Sequence, residues 1–256
     1  LFLHNEGFST MCGHGIIGVT NAACDLGLVP MRIPVTPVKI DTPAGLVNAF
    51  ARIADKAVQS VYFHNVPSFV VDLDEEIAVP ELGVIQYDLA FGGAFYAFVD
   101  ADKMGLSLHA DNFRALIQSG MAIKNAIIAS RKIEHPVDTD LGFLYGVIFT
   151  GNSLSPDADS RNVCIFAEGE VDRSPTGTGV SARMAIHYFR GEIRVNEAMV
   201  IESIIGTRFT GRVVETIRQG PYEAVIPEVE GTAYIIARNE FFVDPQDPLK
   251  NGFILR

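Results

Sequence analysis

The chain has 256 residues, 48% of them hydrophobic, and it carries 20 basic against 31 acidic side chains, a net charge of −11. An acidic chain without a basic run is a poor partner for nucleic acid or an anionic membrane, so we expect neither to bind it. No apolar stretch approaches the roughly 20 residues that a membrane-spanning helix needs. This length suits one large core or two modest ones.

The cysteines are Cys12, Cys24 and Cys164, an odd number that argues against a disulfide framework in so long a chain. This usage favours a reducing compartment, and we expect a cytoplasmic protein. The chain begins with Leu1 rather than Met, and its first residues resemble the end of a strand. We therefore expect that further residues precede this numbering and complete the first part of the fold.

The first part of the chain is predicted to hold an initial strand, a helix that opens on glycine, and several short strands. The helix covers 13–26, and the strands cover 35–40, 46–53, 58–63 and 69–71. Turn residues such as Pro34 and Pro43 separate these strands.

The second part begins with an aromatic, glycine-rich stretch over 87–100, whose glycines allow another backbone to come close. The clearest helix covers 111–133, because its apolar residues trace one face and Pro136 follows it. A second helix that opens on glycine covers 180–190. Strands are predicted over 143–150, 163–167, 193–195, 200–204, 208–217, 223–229 and 232–243.

Two turns with similar sequences open the two glycine-led helices: Met-Cys-Gly-His-Gly at 11–15 and Pro-Thr-Gly-Thr-Gly at 175–179. Their alignment places Cys12 on Thr176. A helix N-terminus presents unpaired N–H groups and a partial positive charge, which suit a small anion. The repeat therefore predicts two related lobes, each of which contributes one helix N-terminus to a shared site.

Cys12 is the strongest candidate for chemistry, because a thiolate at a helix N-terminus is stabilised and can act as a base or a nucleophile. The alternative is a small buried hydrophobe, which we favour for Cys24 and Cys164. The hydroxyl of Thr176 cannot act as a base near neutral pH. A ligand held between the two turns would therefore meet different chemistry on its two faces.

Two further polar residues flank these turns. His14 could pair with Cys12, ligate a metal or cap the helix, but the other histidines lack ligand spacing, so we predict no metal site and a substrate contact instead. Asp172 either caps its turn together with Arg173 or supplies the anion that receives the ammonium of an amino-acid ligand.

The motifs at 11–15 and 172–179 closely resemble those of the proline racemase family, and further matches at 4–7, 65–69, 92–97 and 247–249 extend over essentially the whole chain. The resemblance implies an α/β fold of two pseudo-symmetric lobes of the diaminopimelate epimerase type. Each lobe is a curved, mostly antiparallel sheet around a central helix. The first lobe would comprise 1–88 plus 240–256, and the second 89–239. It also implies a site between the lobes, no cofactor and a homodimer.

In the racemases and epimerases of the family that this chain resembles, both motif positions are cysteines. This chain has Cys12 at the first position and Thr176 at the second. That substitution resembles the branch that dehydrates trans-3-hydroxy-L-proline, so the resemblance implies a hydro-lyase that forms Δ1-pyrroline-2-carboxylate. It makes Cys12 the base that removes the Cα proton, and Thr176 a residue that cannot reprotonate the opposite face. The substrate contacts that it implies are Gly13, His14, Phe166, Asp172, Gly177 and Thr178.

Two other functions stay open at the level of sequence. The first is a racemase of proline or an epimerase of 4-hydroxyproline, with a water relayed through Thr176 as the second acid. The second is a non-catalytic protein that binds imino acids and keeps the cleft without the chemistry.

Overall fold

The computed structural model describes residues 2–4 and 7–252, so parts of the predicted 4–7 motif and of the predicted C-terminal tail lie outside it. The helices are α1 Gly13–Asp25, α2 Phe113–Ser130 and α3 Gly177–Phe189. The strands are β1 Phe2–His4, β2 Gly7–Ser9, β3 Val35–Thr42, β4 Gly45–Ala54, β5 Ala57–His64, β6 Ser68–Val79, β7 Gly83–Phe91, β8 Phe95–Asp100, β9 Leu144–Gly151, β10 Ser160–Phe166, β11 Glu170–Val171, β12 Ala198–Glu202, β13 Arg208–Gln219 and β14 Tyr222–Gly231.

One large sheet dominates the fold, beside a small antiparallel sheet of β1 and β2. Its strand order is β13-β12-β10-β9-β8-β7-β6-β14-β5-β4-β3, with β11 paired to β10. The pairings are antiparallel except for β8 with β9 and β10 with β12. Because β14 also pairs with β13, the eight strands from β13 to β14 in this order close into a barrel. The C-terminal half of β14 pairs with β5 instead of β6, and this pairing joins the barrel to the sheet of β3, β4 and β5.

Helix α3 runs inside the barrel. All residues from Gly177 to Ile186 are buried, and the helix contacts strands on several sides of the ring, among them β6, β7, β13 and β14. A helix that is buried all round needs small or apolar side chains on every face, which its run of Ala, Val, Met and Gly supplies. The backbone of Gly92 approaches the Thr178 carbonyl so closely that no side chain would fit. The predicted role of glycines in the 87–100 stretch is thus observed.

The other two helices cover sheet faces. Helix α1 packs on β4, β5 and β14, and α2 packs on the outside of the barrel against β9 and β10. Gly120 of α2 lies against the side chain of Ile165, where a Cβ would come within 2.7 Å. Among the described residues, no helix has both the length and the apolar character to cross a bilayer.

The predicted fold class is confirmed, with a curved and mostly antiparallel sheet around helices. The three predicted helices are confirmed to within a few residues at each end. The lobe boundaries stay a prediction. Strand β14 pairs with β5 and β6 and also with β13. Strands β5 and β6 precede residue 89 in the sequence, whereas β13 follows it.

Two strand predictions are wrong, and a third strand is longer than predicted. Residues 232–243 form no strand although their apolar residues favour one, since they pair with none of the described strands. Residues 193–195 lie in the turns that lead from α3 to β12. The predicted strand at 69–71 is much longer, since β6 extends to Val79 and pairs with β7. Its register shifts around Asp72, and positive φ at Asp74, interrupt the alternation that marks a strand in sequence.

Candidate active site

The N-termini of α1 and α3 meet backbone to backbone. A Cβ on Gly13 would lie 2.5 Å from the Cα of Gly177, and a Cβ on Gly177 would lie 2.6 Å from the Cα of Gly13. Only glycine at both positions permits this approach. Cys12 is the N-cap of α1 and Thr176 is the N-cap of α3, so the contact brings the two motif positions to one place.

The residues predicted for the site share one cavity of about 100 Å³. Such a cavity suits a small molecule, since sites for drug-sized ligands begin at roughly 300 Å³. The predicted residues that line it are Cys12, Gly13, His14, Phe166, Asp172, Thr176, Gly177 and Thr178. The structure thus brings all eight together, and their individual roles stay predictions.

Thr176 has a strained backbone conformation, with φ 67° and ψ 97°. Such a conformation costs a non-glycine residue about 1–3 kcal/mol and needs support from its surroundings. The Thr176 N–H donates to the Ser174 hydroxyl at 3.0 Å, and the Ser174 N–H donates to Asp172 at 2.8 Å. The Thr176 hydroxyl donates to the second Asp172 oxygen at 2.9 Å. The turn is therefore fixed by its own side chains.

Asp172 and His14 form a charged pair at the edge of the cavity. Asp172 is 7% exposed and its oxygen lies 3.4 Å from Nδ1 of His14. Burial opposes ionisation of Asp172, but hydrogen bonds from His14, Ser174 and Thr176 outweigh it and keep its pKa below the ordinary value. Hydrogen bonds to Asp172 and then to Cys12 raise the pKa of His14 from 6.5 to about 10. His14 is therefore a cation at neutral pH, placed between a carboxylate and the Cys12 thiol.

Comparison with known proteins identifies one family whose members match this chain over nearly its whole length. The sequence pattern of the proline racemase family matches residues 1–254. The chain belongs to this family. The trans-3-hydroxy-L-proline dehydratase of Colwellia psychrerythraea is 48% identical over 256 residues, which cover the whole of this chain and 72% of that protein. The human trans-3-hydroxy-L-proline dehydratase is 42% identical over 262 residues, which cover the whole of this chain and 74% of that protein.

A solved structure of another proline racemase family protein has the same fold. The crystal structure of a hydroxyproline epimerase from Agrobacterium vitis, with bound trans-4-hydroxy-L-proline, matches with a TM-score of 0.92 and 35% identity. The match covers 98% of this chain and 72% of that one. The resemblance to the proline racemase family is therefore confirmed in both sequence and fold.

Cys164 lines the cavity of this proline racemase family protein, which sequence reasoning did not foresee. We expected a buried hydrophobe in a strand, and the residue is indeed fully buried in β10. Burial raises the pKa of its thiol, which is hydrogen-bonded to Thr176. A signal was available in the sequence: Cys164 precedes Phe166 by two, so both side chains lie on one face of the strand.

Two tyrosines in the cavity wall also escaped sequence analysis. Tyr96 is fully buried and its hydroxyl lies 2.7 Å from that of Thr178. The ring of Tyr145 stacks on Phe166 with centroids 5.5 Å apart. These aromatic side chains give the cavity an apolar wall beside its charged edge. Among the described residues, no group of three His, Cys, Asp or Glu side chains is placed to hold a metal ion.

Proposed function

We propose that this chain is a cofactor-independent hydro-lyase that converts trans-3-hydroxy-L-proline to Δ1-pyrroline-2-carboxylate. The observation that carries the proposal is the difference between the two helix caps. Cys12 presents a thiol to the cavity, whereas the Thr176 hydroxyl donates its proton to buried Asp172. Only one cap can then accept a proton from the substrate. The names of the bacterial and human relatives support this activity.

The substrate carboxylate would lie between the two helix starts. The first intrahelical hydrogen bonds run from Ile16 to Cys12 in α1 and from Val180 to Thr176 in α3. The N–H groups of the residues between them have no acceptor within their own helix and lie at the positive ends of two helix dipoles. Since the Thr178 hydroxyl is engaged with Tyr96, its contribution would come through its backbone.

The chemical problem is a weakly acidic Cα–H. Charge that develops on the carboxylate as this proton leaves is stabilised by the preorganised N–H groups, which act more strongly in a buried site than in water. The Cys12 thiolate takes the Cα proton, the C3–O bond breaks, and the C2–C3 double bond forms. In the trans isomer the Cα hydrogen and the 3-hydroxyl share one ring face, so Cys12 can return the proton to the departing group as water. The enamine then tautomerises to the pyrroline.

His14 has a different role in this proposal from the one that the sequence predicted. A cation beside Asp172 keeps that carboxylate charged, and it would repel the ring ammonium of the substrate. Asp172 therefore receives the ring nitrogen, and His14 stabilises the Cys12 thiolate. Phe166, stacked on Tyr145, would pack against the ring carbons.

The deciding experiment incubates the full-length protein in D2O with trans-3-hydroxy-L-proline and, separately, with trans-4-hydroxy-L-proline, followed by proton NMR. The proposal expects conversion of the first substrate to the pyrroline product and no inversion of the second. Pyrrole-2-carboxylate serves as a probe of binding, because it is a planar mimic of the deprotonated substrate. If it binds while neither hydroxyproline reacts or exchanges its Cα–H, the chain is a binding protein and the proposal fails.

A second candidate is an epimerase of hydroxyproline or a racemase of proline. The fold match to the Agrobacterium vitis hydroxyproline epimerase, solved with bound trans-4-hydroxy-L-proline, favours it. This reaction needs an acid on the second face, which a water held by Thr176 would have to supply. Inversion of trans-4-hydroxy-L-proline with the 3-hydroxy isomer untouched would support this function instead.

A homodimer and a cytoplasmic location remain part of the proposal and rest on the sequence alone. Sedimentation velocity on the full-length protein would measure its mass in solution. A monomer at micromolar concentration would remove the dimer from the proposal without touching the chemistry.

A further inference from the structure

A chain of buried polar side chains runs from the middle of α3 to the turn in front of it. Asn162 of β10 is fully buried, and its Nδ2 donates to the carbonyl of Pro175 at 3.0 Å. Its Oδ1 accepts from Nη1 of Arg183 at 2.9 Å. Arg183, on α3, donates through Nη2 to the hydroxyl of Ser160 at 2.9 Å. One amide thus links the helix interior to the turn that carries Thr176.

Arg183 is an unusual residue for the inside of a barrel. It is 7% exposed, and among the described residues no carboxylate lies within ion-pair distance of it, although Glu192 acts on its charge from further away. Burial lowers its pKa to about 10. By contrast, Arg161, the buried residue that precedes Asn162 on β10, pairs with Glu202. A buried guanidinium without a counter-ion is costly to keep, so a specific role for Arg183 is expected.

The last acceptor in this series of hydrogen bonds is the Pro175 carbonyl, and the site depends on it. Pro175 is buried, and its carbonyl belongs to the peptide that enters the strained Thr176 conformation. A buried carbonyl needs a donor, and Asn162 supplies it. Without that bond the peptide between Pro175 and Thr176 could rotate, and the N–H groups at the start of α3 would move with it.

We propose that Asn162 and Arg183 are positioning residues of the site. Arg183 orients the Asn162 amide, and the amide fixes the Pro175 carbonyl, which sets the direction of the first N–H groups of α3. This inference rests on the proposed function in one respect, namely that those N–H groups bind the substrate carboxylate. The chain of hydrogen bonds itself is independent of the reaction.

The test uses Asn162→Asp, which keeps the shape and the acceptor for Arg183 but loses the donor to Pro175. Loss of one buried hydrogen bond should speed amide hydrogen exchange about tenfold in peptides that span 172–180, measured by mass spectrometry. A misplacement of the α3 N–H groups should lower kcat/KM for trans-3-hydroxy-L-proline about 100-fold. The affinity for pyrrole-2-carboxylate should fall about tenfold for the same reason.

Arg161→Lys is the matched control, since Arg161 is equally buried on the same strand but bonds to Glu202 and the Leu108 carbonyl. It should lower the melting temperature without changing exchange at 172–180 or binding of pyrrole-2-carboxylate. Arg183→Lys, which keeps the charge, is the second variant if Asn162→Asp does not fold, and it should show the Asn162→Asp pattern more weakly. The variant that combines Asn162→Asp with Arg183→Lys should lose little more kcat/KM than Asn162→Asp alone, because both substitutions act through the Pro175 carbonyl.

Wild-type exchange at 172–180 together with wild-type affinity in Asn162→Asp would overturn the inference. The same pattern of loss in Arg161→Lys would also overturn it, because that would show a general effect of strand stability. If the wild-type protein dehydrates nothing, the proposed function fails, whereas the exchange measurement still decides the role of Asn162 and Arg183.

Discussion

Single residues give the site its asymmetry. Cys12 and Thr176 occupy equivalent caps on two helices, yet one side chain is a thiol and the other a hydroxyl that donates to Asp172. His14 stands beside both Cys12 and Asp172 and carries the positive charge between them. The chemistry that we propose depends on this order of thiol, imidazolium and carboxylate more than on the shape of the cavity.

Cys12→Ser should abolish dehydration, because a serine hydroxyl is too weak a base to remove the Cα proton. We expect a loss of about 10³-fold or more in kcat, the usual range for a general base. Cys24→Ser is the control, since Cys24 lies near the C-terminal end of α1, buried and outside the cavity. The measurement is turnover together with Cα–H exchange in D2O. Retention of a tenth of the wild-type rate in Cys12→Ser would refute the assignment of the base.

The imidazolium of His14 should persist far above neutral pH. Its folded-state pKa of about 10 lies above the ordinary 6.5, chiefly because of the hydrogen bond to Asp172. Its contribution to stability is therefore complete below about pH 6.5 and is lost as the pH rises through about 10. We expect the Cε1 proton of His14 to titrate in that upper range by NMR.

Asp172→Asn is the comparison for this titration. It removes the largest cause of the raised pKa of His14, so the midpoint should move towards 6.5. A wild-type midpoint already near 6.5 would contradict the charge order that we describe for the site.

At the scale of secondary-structure elements, the contact between the N-termini of α1 and α3 positions the site. Gly13 of α1 and Gly177 of α3 approach so closely that each excludes a side chain on the other. This contact sets the distance between the two caps, and it joins α1, which packs on β4 and β5, to α3 inside the barrel. The convergence of two positive helix ends is thus a property of packing between elements.

Gly13→Ala should push the two helices apart, because its Cβ would lie 2.5 Å from the Cα of Gly177, a backbone atom that cannot yield cheaply. We expect a loss of about 1–3 kcal/mol in the free energy of unfolding, as for other overpacked sites. Affinity for pyrrole-2-carboxylate should fall as well, because the N–H groups separate. Urea unfolding and calorimetric titration would measure both.

Gly18→Ala is the matched control on the same helix. Apart from its chain neighbours and the backbone of its own helix, no atom of the described residues lies within 4 Å of the position that its Cβ would take. Alanine favours a helix over glycine, so this variant should gain about 0.5–1 kcal/mol and bind pyrrole-2-carboxylate as the wild type does. Equal behaviour of the two alanine variants would show that the helix contact does not position the site.

The whole molecule is organised around an enclosed helix. The pairing of β13 with β14 closes the barrel, and α3 inside it carries Thr176, Gly177 and Thr178 to the cavity. The half-buried α1 lies on the neighbouring sheet. The two halves of the site therefore rest on parts of the fold with different degrees of enclosure.

Amide exchange should reflect this difference. The amides in the middle of α3 can exchange only when the barrel opens, so their exchange should depend on urea as steeply as global unfolding does. The exposed side of α1, around Val19, should exchange by smaller openings. Native-state exchange by NMR over a urea series would measure both. Exchange of the α3 amides that is independent of urea would contradict an enclosed helix.

The resemblance to the proline racemase family implied that Phe166 and Thr178 join the other predicted residues of the cavity. The sequence by itself determined the three helices and the two glycine-led turns that carry Cys12 and Thr176. These signals are local: helical periodicity, glycine at a helix start, and a cysteine or threonine before it. Only the tertiary structure decided that Cys164, Tyr96 and Tyr145 join the cavity wall, that β14 closes the barrel, and that Asn162 reaches Pro175. Each of these depends on strand order and register, which bring together residues distant in the chain and leave no periodic signal in the sequence.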